Sequence, residues 1–317
     1  MGEVDDLIRE ARAEARATVK ARVRERFERS LTEEVEARLA PRAPKPRTES
    51  GTGLWVYCVA ADELPDIGRE VAGVAAGHEP RVLRAAGLAA VVSAVPLDEY
   101  GEDGLKRNLN DMQWLEEVVR AHEGVLDAVL PRGPIVPMRI CTIYRSEDQV
   151  EAMLVERRAS FRDALSRLAG RAEWGLKLIA NRDRVGDAPR SRIEHAAGVP
   201  TGAGGAYLGS KQEDRQRRDE VDEFLDAAAA ESHARLEEWA AAYELLPPQG
   251  RELSGYEGEM VMNGAYLVDA DRLDGFKRVV EELRQQYLDK GLALELTGPW
   301  PAFHFVGSLD SPQGSRP

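Results

Sequence analysis

The residues that could carry out chemistry in this chain do not form a known catalytic or metal-binding pattern. No two of the five histidines have the i,i+4 spacing of a zinc site on a helix. The chain contains no Gly-x-Ser-x-Gly turn, which would present a serine nucleophile. Cys58 and Cys141 are too few for a disulfide framework or a four-thiolate metal site. We therefore expect a protein that is not an enzyme and that uses no cofactor or metal.

Two chemical alternatives stay open. Cys141 lies two residues after Arg139, and a nearby cation lowers the pKa of a thiol, so a thiol enzyme is one alternative. The run Gly202-Ala-Gly-Gly-Ala-Tyr-Leu-Gly209 could hold a phosphate at a helix N-terminus. No strand comes directly before this run, as a dinucleotide site requires. A ferredoxin-like module that binds a small ligand and acts as a regulator is the second alternative.

Length and charge narrow the class of protein. A chain of 317 residues predicts two domains, at about 150 residues per domain. The formal net charge of −13 opposes binding to nucleic acids and to anionic lipid surfaces. The longest apolar run, residues 88–97, is about half the length that crosses a bilayer, and the first 40 residues are too charged for a secretory signal. We expect a cytoplasmic protein that binds neither nucleic acid nor membrane.

The two ends of the chain are predicted to lie outside the folded domains. Residues 1–40 predict a helical arm, in which Ser30 and Glu33 form a capping box that restarts the helix before Pro41. Charged residues interleave along this arm, which is either a solvated helix or a docking and oligomerising element. Residues 41–53 are rich in Pro, Ser, Thr and Gly and predict a linker. Residues 307–317 predict a flexible tail.

Residues 54–171 predict a first domain of mixed helices and strands. Its apolar run at 54–60 is typical of a strand that is buried on both faces. Gly124 is expected to cap a helix whose apolar face begins at Leu105, and Ser146 with Gln149 forms a capping box for a later helix. The other elements predicted here are a short helix at 65–76, a hairpin of strands at 81–85 and 88–95, and strands at 125–130 and 134–140.

Residues 172–306 predict a second domain with the element order β-α-β-β-α-β. This order is typical of the split βαβ, or ferredoxin-like, unit, an antiparallel sheet with two helices on one face. The first domain has the same motif with additions. The predicted fold class is therefore α+β, with two ferredoxin-like domains and an N-terminal helical arm. The elements predicted in the second domain are strands at 174–180, 243–246, 260–268 and 292–296 and helices at 206–242 and 273–287.

Several short segments, spread in order along residues 54–306, resemble one protein family. The segments are Leu54-Trp-Val-Tyr-Cys-Val-Ala60, Asn108-x-x-Asp111-x-x-Trp114-Leu115, Ile135-Val-Pro-Met-Arg-Ile-Cys-Thr-Ile-Tyr144, Asn263-Gly-Ala-Tyr-Leu-Val268 and Leu296-Thr-Gly-Pro-Trp-Pro301. Together they resemble the gas vesicle protein L/F family. The chain departs from the family at Ile140-Cys141, where Phe-Gly is usual. The N-terminal arm lies outside the resemblance.

The resemblance implies a non-enzymatic accessory or minor structural protein of gas vesicles, located in the cytoplasm in association with the vesicle. Its implied partners are the major gas vesicle shell protein and other gas vesicle accessory proteins. A shell protein that faces gas is apolar, so its unassembled subunits tend to aggregate, and a charged adaptor could mask them or deliver them.

We further expect the second domain to bind such a partner by strand addition at an exposed sheet edge. Trp300, Phe303 and Phe305, beside the last strand, are the candidate aromatic contacts. Arg139 either pairs with a carboxylate inside the fold or faces the partner.

Overall fold

The structure is a computed structural model that describes residues 51–67, 71–187, 203–248 and 258–307. The predicted helical arm (1–40), most of the predicted linker (41–53) and the tail beyond Gly307 lie outside the described residues. The strands are β1 (Thr52–Ala61), β2 (Arg81–Ala85), β3 (Leu88–Pro96), β4 (Ile135–Pro137), β5 (Ile143–Tyr144), β6 (Arg171–Ala180), β7 (Ala242–Leu246), β8 (Glu259–Asp269) and β9 (Leu292–Trp300). The helices are α1 (Leu97–Tyr100), α2 (Glu102–Asn108), α3 (Met112–Val129), α4 (Glu147–Glu156), α5 (Arg158–Leu168), α6 (Arg182–Asp187), α7 (Ala203–Glu237) and α8 (Leu273–Tyr287).

The described residues form two compact units, each with its own sheet. The first unit contains residues 51–173 together with 299–307, and the second contains residues 174–298. Residues 299–306, which the sequence places in the second domain, therefore group with the first unit. The prediction of a mixed α+β chain is confirmed, and every strand pair whose register is described is antiparallel.

The first unit is built around β1, which is buried on both faces. Its sheet has the strand order β2-β3-β1-β4, and β5 also pairs with β1. The continuous apolar run of β1 explains this burial, because both side-chain faces of the strand are then free to pack. The register between β1 and β3 shifts between Val56 and Cys58, which marks a bulge at Tyr57.

The prediction of a helix at residues 65–76 is wrong. Residues 65–67 and 71–76, the part of this segment that the structure describes, contain no helix. The backbone of this segment bonds to tyrosine side chains instead. The Val74 amide donates to the Tyr57 hydroxyl at 2.9 Å, and the Tyr100 hydroxyl donates to the Val74 carbonyl at 2.8 Å. A side chain at Gly73 would overlap the His78 carbonyl oxygen, so only glycine fits this close approach.

The strand predicted for residues 125–130 is also wrong, because α3 continues to Val129 and ends in a short 3-10 turn. Val125 and Val129 extend the buried stripe of this helix by one more turn, and helical packing overrides their preference for strands. Gly124 consequently lies inside the helix and does not cap it. The predicted cap at Ser146 is confirmed: its hydroxyl accepts a hydrogen bond from the Gln149 amide at the start of α4.

The second unit has the strand order β7-β8-β6-β9. Helix α8 buries Phe276, Val280 and Leu283, at the spacing that places them on one helical face. Trp239 lies two residues after the end of α7, and Gly275 lies in the first turn of α8. The Trp239 ring packs directly on Gly275, where an added Cβ would overlap the ring. None of the helices among the described residues has both the length and the apolar character needed to span a bilayer.

The glycines in α8 and α3 give a matched test of this packing. Gly275→Ala must displace the Trp239 ring, so we expect the free energy of unfolding to fall by about 1–3 kcal/mol. Gly124→Ala places a methyl group in open space on α3 and should raise it by about 0.5–1 kcal/mol. Urea unfolding of the two variants measures both effects, and equal stability of Gly275→Ala and the wild type would contradict the packing.

Candidate protein-interaction site

The four residues predicted to contact a partner all lie in the first unit and are half-buried. Trp300 is the last residue of β9, and Phe303 and Phe305 follow in two tight turns, in which their amides bond to the carbonyls of Pro301 and Ala302. The Phe303 ring packs against the core of the first unit. Arg139 lies in the turn between β4 and β5. The aromatic residues thus belong to a segment that is fixed to the first unit.

A buried carboxylate holds this aromatic segment in place. The Glu173 side chain, only 1% exposed, lies at the start of β6. Its Oε2 accepts a hydrogen bond from the His304 amide at 3.1 Å, and its Oε1 lies 2.7 Å from His304 Nδ1. A buried carboxylate needs such donors, because burial removes it from water. His304 is therefore a structural residue of the first unit.

Cys141 lies in the turn that follows Arg139, at a backbone position that is unusual for a residue other than glycine. The Thr142 amide and hydroxyl both donate to the Arg139 carbonyl, at 3.1 and 2.7 Å. Cys141, inside this turn, has a φ of 67°, in the left-handed region that favours glycine. This is the position where the family that the chain resembles usually has glycine. The cysteine is thus tolerated in a glycine position, and its packing against the first-unit core points to a structural role.

A pair of substitutions separates the backbone strain at Cys141 from its side-chain packing. Cys141→Ala removes the thiol and keeps the Cβ, whereas Cys141→Gly removes both. We expect the glycine variant to be the more stable of the two by about 1 kcal/mol, because it relieves the left-handed conformation. Thermal or urea unfolding measures the difference, and a less stable glycine variant would show that this turn is not strained.

His122 and Cys58 are both buried in the first unit and have structural roles. His122 is buried, accepts a hydrogen bond from Trp55 Nε1 at its Nδ1 (2.9 Å) and stacks on the Tyr57 ring. Burial raises the pKa of the Cys58 thiol, so this cysteine is unreactive at neutral pH. No group of three or more His, Cys, Asp or Glu side chains within the described residues could hold a metal ion.

The glycine-rich run considered for phosphate binding enters the long helix. Helix α7 begins at Ala203, so residues 203–209 have helical backbone, and Gly202 lies outside the described residues. The run is therefore the first part of a helix, which agrees with its lack of a preceding strand.

The sequence predicts strand addition at an edge of the second sheet, but it does not identify β7 as a terminal strand with exposed apolar side chains. β7 is the terminal strand of the second sheet and pairs in antiparallel register with β8. Tyr243 and Leu245, two residues apart and thus on one face, are 44% and 51% exposed. The sequence predicts the strand itself. Pro247 and Pro248, directly after it, were the available signal, because proline within sheets is confined to edges and strand ends.

Helix α7 supports Tyr243 from below. The His233 ring meets the Tyr243 ring edge-to-face, with 4.5 Å between the ring centroids. His233 Nδ1 lies 3.1 Å from the Tyr266 hydroxyl, and its Nε2 lies 3.8 Å from Glu237 Oε2. Burial raises the pKa of Tyr266, so its hydroxyl stays protonated and available to this histidine. The exposed aromatic ring therefore rests on a defined side-chain platform.

We expect removal of the His304 imidazole to loosen the segment after β9. His304→Ala leaves the buried Glu173 carboxylate with one polar partner fewer and should lower the free energy of unfolding by about 1–3 kcal/mol. Adding Glu173→Gln to this variant replaces the buried charge by a neutral amide and should recover part of the loss. Urea unfolding of the single and double variants measures the coupling, and strictly additive effects would argue against it.

A family sequence model and several known proteins are similar to this chain over most of its length. A sequence model described as gas vesicle synthesis protein GvpL/GvpF matches residues 53–307. Gas vesicle protein L of Streptomyces sp. (strain CB03234) is 36% identical over 231 residues, which are 73% of this chain and 84% of that protein. Gas vesicle protein F of the same strain is 28% identical over 264 residues, 80% of this chain and 98% of that protein.

Two solved structures of gas vesicle protein GvpF have a fold similar to that of this chain. The crystal structure of GvpF from Anabaena sp. PCC7120 superposes with a TM-score of 0.58 at 16% identity, covering 81% of this chain and 96% of that one. The crystal structure of GvpF from Microcystis aeruginosa gives a TM-score of 0.57 at 17% identity, with 80% and 98% coverage. At these identities the likeness shows the fold.

Proposed function

The chain belongs to the gas vesicle synthesis protein GvpL/GvpF family, and from this premise we propose that it binds the major gas vesicle shell protein and supports vesicle assembly. Membership of the family gives the protein an accessory role in gas vesicles. The observation that carries the proposal is the extent of the family match, which spans residues 53–307 and so includes both units. Other accessory proteins of the vesicle are further proposed partners.

A protein with this role must hold apolar subunits apart before they assemble. The shell must present an apolar surface to gas, so its free subunits aggregate unless another protein covers that surface. A chain with a net charge of −13 stays soluble while it is bound to an apolar shell subunit. We propose that it does so without catalysis or a cofactor, in the cytoplasm and in contact with the growing vesicle. The names of the matched relatives, gas vesicle proteins L and F, support the vesicle context.

We propose two separate contacts, one in each unit: the aromatic segment after β9 in the first unit and a sheet edge in the second unit. Trp300, Phe303 and Phe305 are half-buried, so each ring keeps some surface for a partner, and Arg139 is half-buried in the same unit. Aromatic residues and arginine dominate the binding energy of many interfaces. Strand addition to the sheet of the second unit is the proposed mode, because it supplies backbone hydrogen bonds to a partner of extended conformation.

We also propose that the second unit is a ferredoxin-like, split βαβ module. Numbered within the unit, its strand order is 2-3-1-4, which supports that topology, and long helices follow its first and third strands. The first unit has the same order for β1 to β4. The first unit differs from the second because both faces of β1 are buried. Residues of α3 belong to the aromatic core that packs on β1, and α5 also contacts this strand. An added helical layer in the first unit explains this difference.

The proposed function is tested in cells and with purified proteins. Deleting the gene should abolish or deform gas vesicles, as seen by electron microscopy, and the wild-type gene should restore them. The purified full chain should retain the major shell protein in a pull-down, and Trp300→Ala should weaken this binding about ten-fold if Trp300 anchors the partner. Normal vesicles in the deletion strain, together with no retention of the shell protein, would refute the function.

A further inference from the structure

We infer that the edge strand β7 is a docking strand for an extended partner segment with apolar residues at alternate positions and lysine or arginine between them. The inference rests on the proposed function, in that the segment belongs to the shell protein. It names the surface and the chemistry that the proposed function leaves open. β7 is the terminal strand of its sheet, and β8 is its single neighbour within the described residues. An unpaired strand edge offers backbone donors and acceptors to another chain.

The apolar side chains of β7 favour this use because they lie exposed beside the edge. Natural edge strands usually limit exposed apolar surface with charged side chains, proline or covering elements. β7 has one charged residue, Glu244, and exposes the large apolar side chains of Tyr243 and Leu245 on one face. A partner strand whose alternate residues are apolar would extend this face and bury both side chains.

Two other edge strands among the described residues, β2 and β9, have arginine side chains at their edges, which sets β7 apart. On the edge strand β2, Arg81 pairs with Glu147 of α4, and Arg84 donates to the Leu64 carbonyl at 2.8 Å. On the edge strand β9, Arg284 Nε donates to the Leu294 carbonyl at 3.1 Å, and the Leu294 side chain is buried. Arginine side chains thus lie at both of these edges. This contrast selects β7, and not the edge next to Trp300, for strand addition.

The charges around β7 determine which segment it accepts. Glu244 lies between Tyr243 and Leu245 and points to the opposite face, where it is exposed. Glu237, near His233, is a second exposed carboxylate beside the strand. Pairing of two copies of β7 about Glu244 would set like charges directly opposite each other, which is unfavourable. A basic residue opposite Glu244 is favourable, so the charge pattern opposes self-pairing and fits a basic, apolar segment.

The support under Tyr243 lowers the entropic cost of docking. His233 contacts the Tyr243 ring and is itself held near the Tyr266 hydroxyl and the Glu237 carboxylate. A side chain that is already oriented loses less rotamer freedom when a partner binds. β7 therefore combines backbone groups that pair with no second strand among the described residues, a pre-oriented apolar face and a defined charge.

Two short fluorescent peptides, one of alternating valine and lysine and one of alternating valine and glutamate, test the inference on the full chain. Fluorescence anisotropy should show that the lysine peptide binds at least about ten-fold more tightly than the glutamate peptide. Leu245→Lys should weaken that binding about ten-fold, because it removes apolar surface and adds a like charge at the edge. Leu288→Lys, at an exposed leucine of the same unit (60% exposed), makes the same change away from β7 and should leave binding unchanged.

The outcomes separate the docking strand from the proposed function. Tyr243→Lys serves as the second edge variant, and circular dichroism confirms that each variant is folded. Equal binding of both peptides, or equal losses in Leu245→Lys and Leu288→Lys, would overturn the docking strand.

The purified shell protein should displace the lysine peptide and bind Leu245→Lys more weakly than the wild type. If it binds both equally, or depends on Trp300 alone, β7 is not its docking strand although the proposed function stands. If it does not bind at all, while the lysine peptide still depends on Leu245, the proposed function fails and the docking strand stands with another basic, apolar partner.

Discussion

Burial of β1 on both faces is the constraint on which the first unit depends. The apolar run that contains Trp55, Tyr57 and Val59 has no face that could meet water, so layers must cover both sides of the strand. The bulge at Tyr57 then directs its hydroxyl to Ser93 and to the Val74 amide. Through this one side chain the Ser93 hydroxyl and the Val74 amide both gain a buried partner, and the irregular segment that precedes β2 is fixed.

The strands of both sheets were predictable because their apolar patterns are local properties of the sequence. The hairpin of β2 and β3, the long β8 and the cap at Ser146 all follow from alternation or from capping chemistry. The wrong predictions share one cause: residues 125–130 and 65–76 obtain their conformation from distant partners, the sheet in one case and two tyrosines in the other. No short-range pattern contains those partners.

The candidate site was harder to predict than the fold for a related reason. Leu294 and Leu245 are both leucines in edge strands of the same sheet, and prolines lie near the end of each strand, so their neighbours along the chain do not tell the two edges apart. In the fold one is buried and the other half-exposed, because only the strand order decides which edge other side chains cover. The sequence identifies aromatic residues near an edge, but it does not show which terminal strand of the described sheet exposes apolar side chains.

A protein can keep an edge strand with exposed apolar side chains only if charge prevents self-association. The formal net charge of −13 repels other copies at long range, and Glu244 opposes the pairing of identical edges at contact. Both effects act against a second copy of this chain, and both reverse sign for a segment that carries lysine or arginine. The negative charge that keeps β7 from pairing with a second copy is therefore the same charge that selects a basic partner. One feature of the chain thus provides both solubility and specificity.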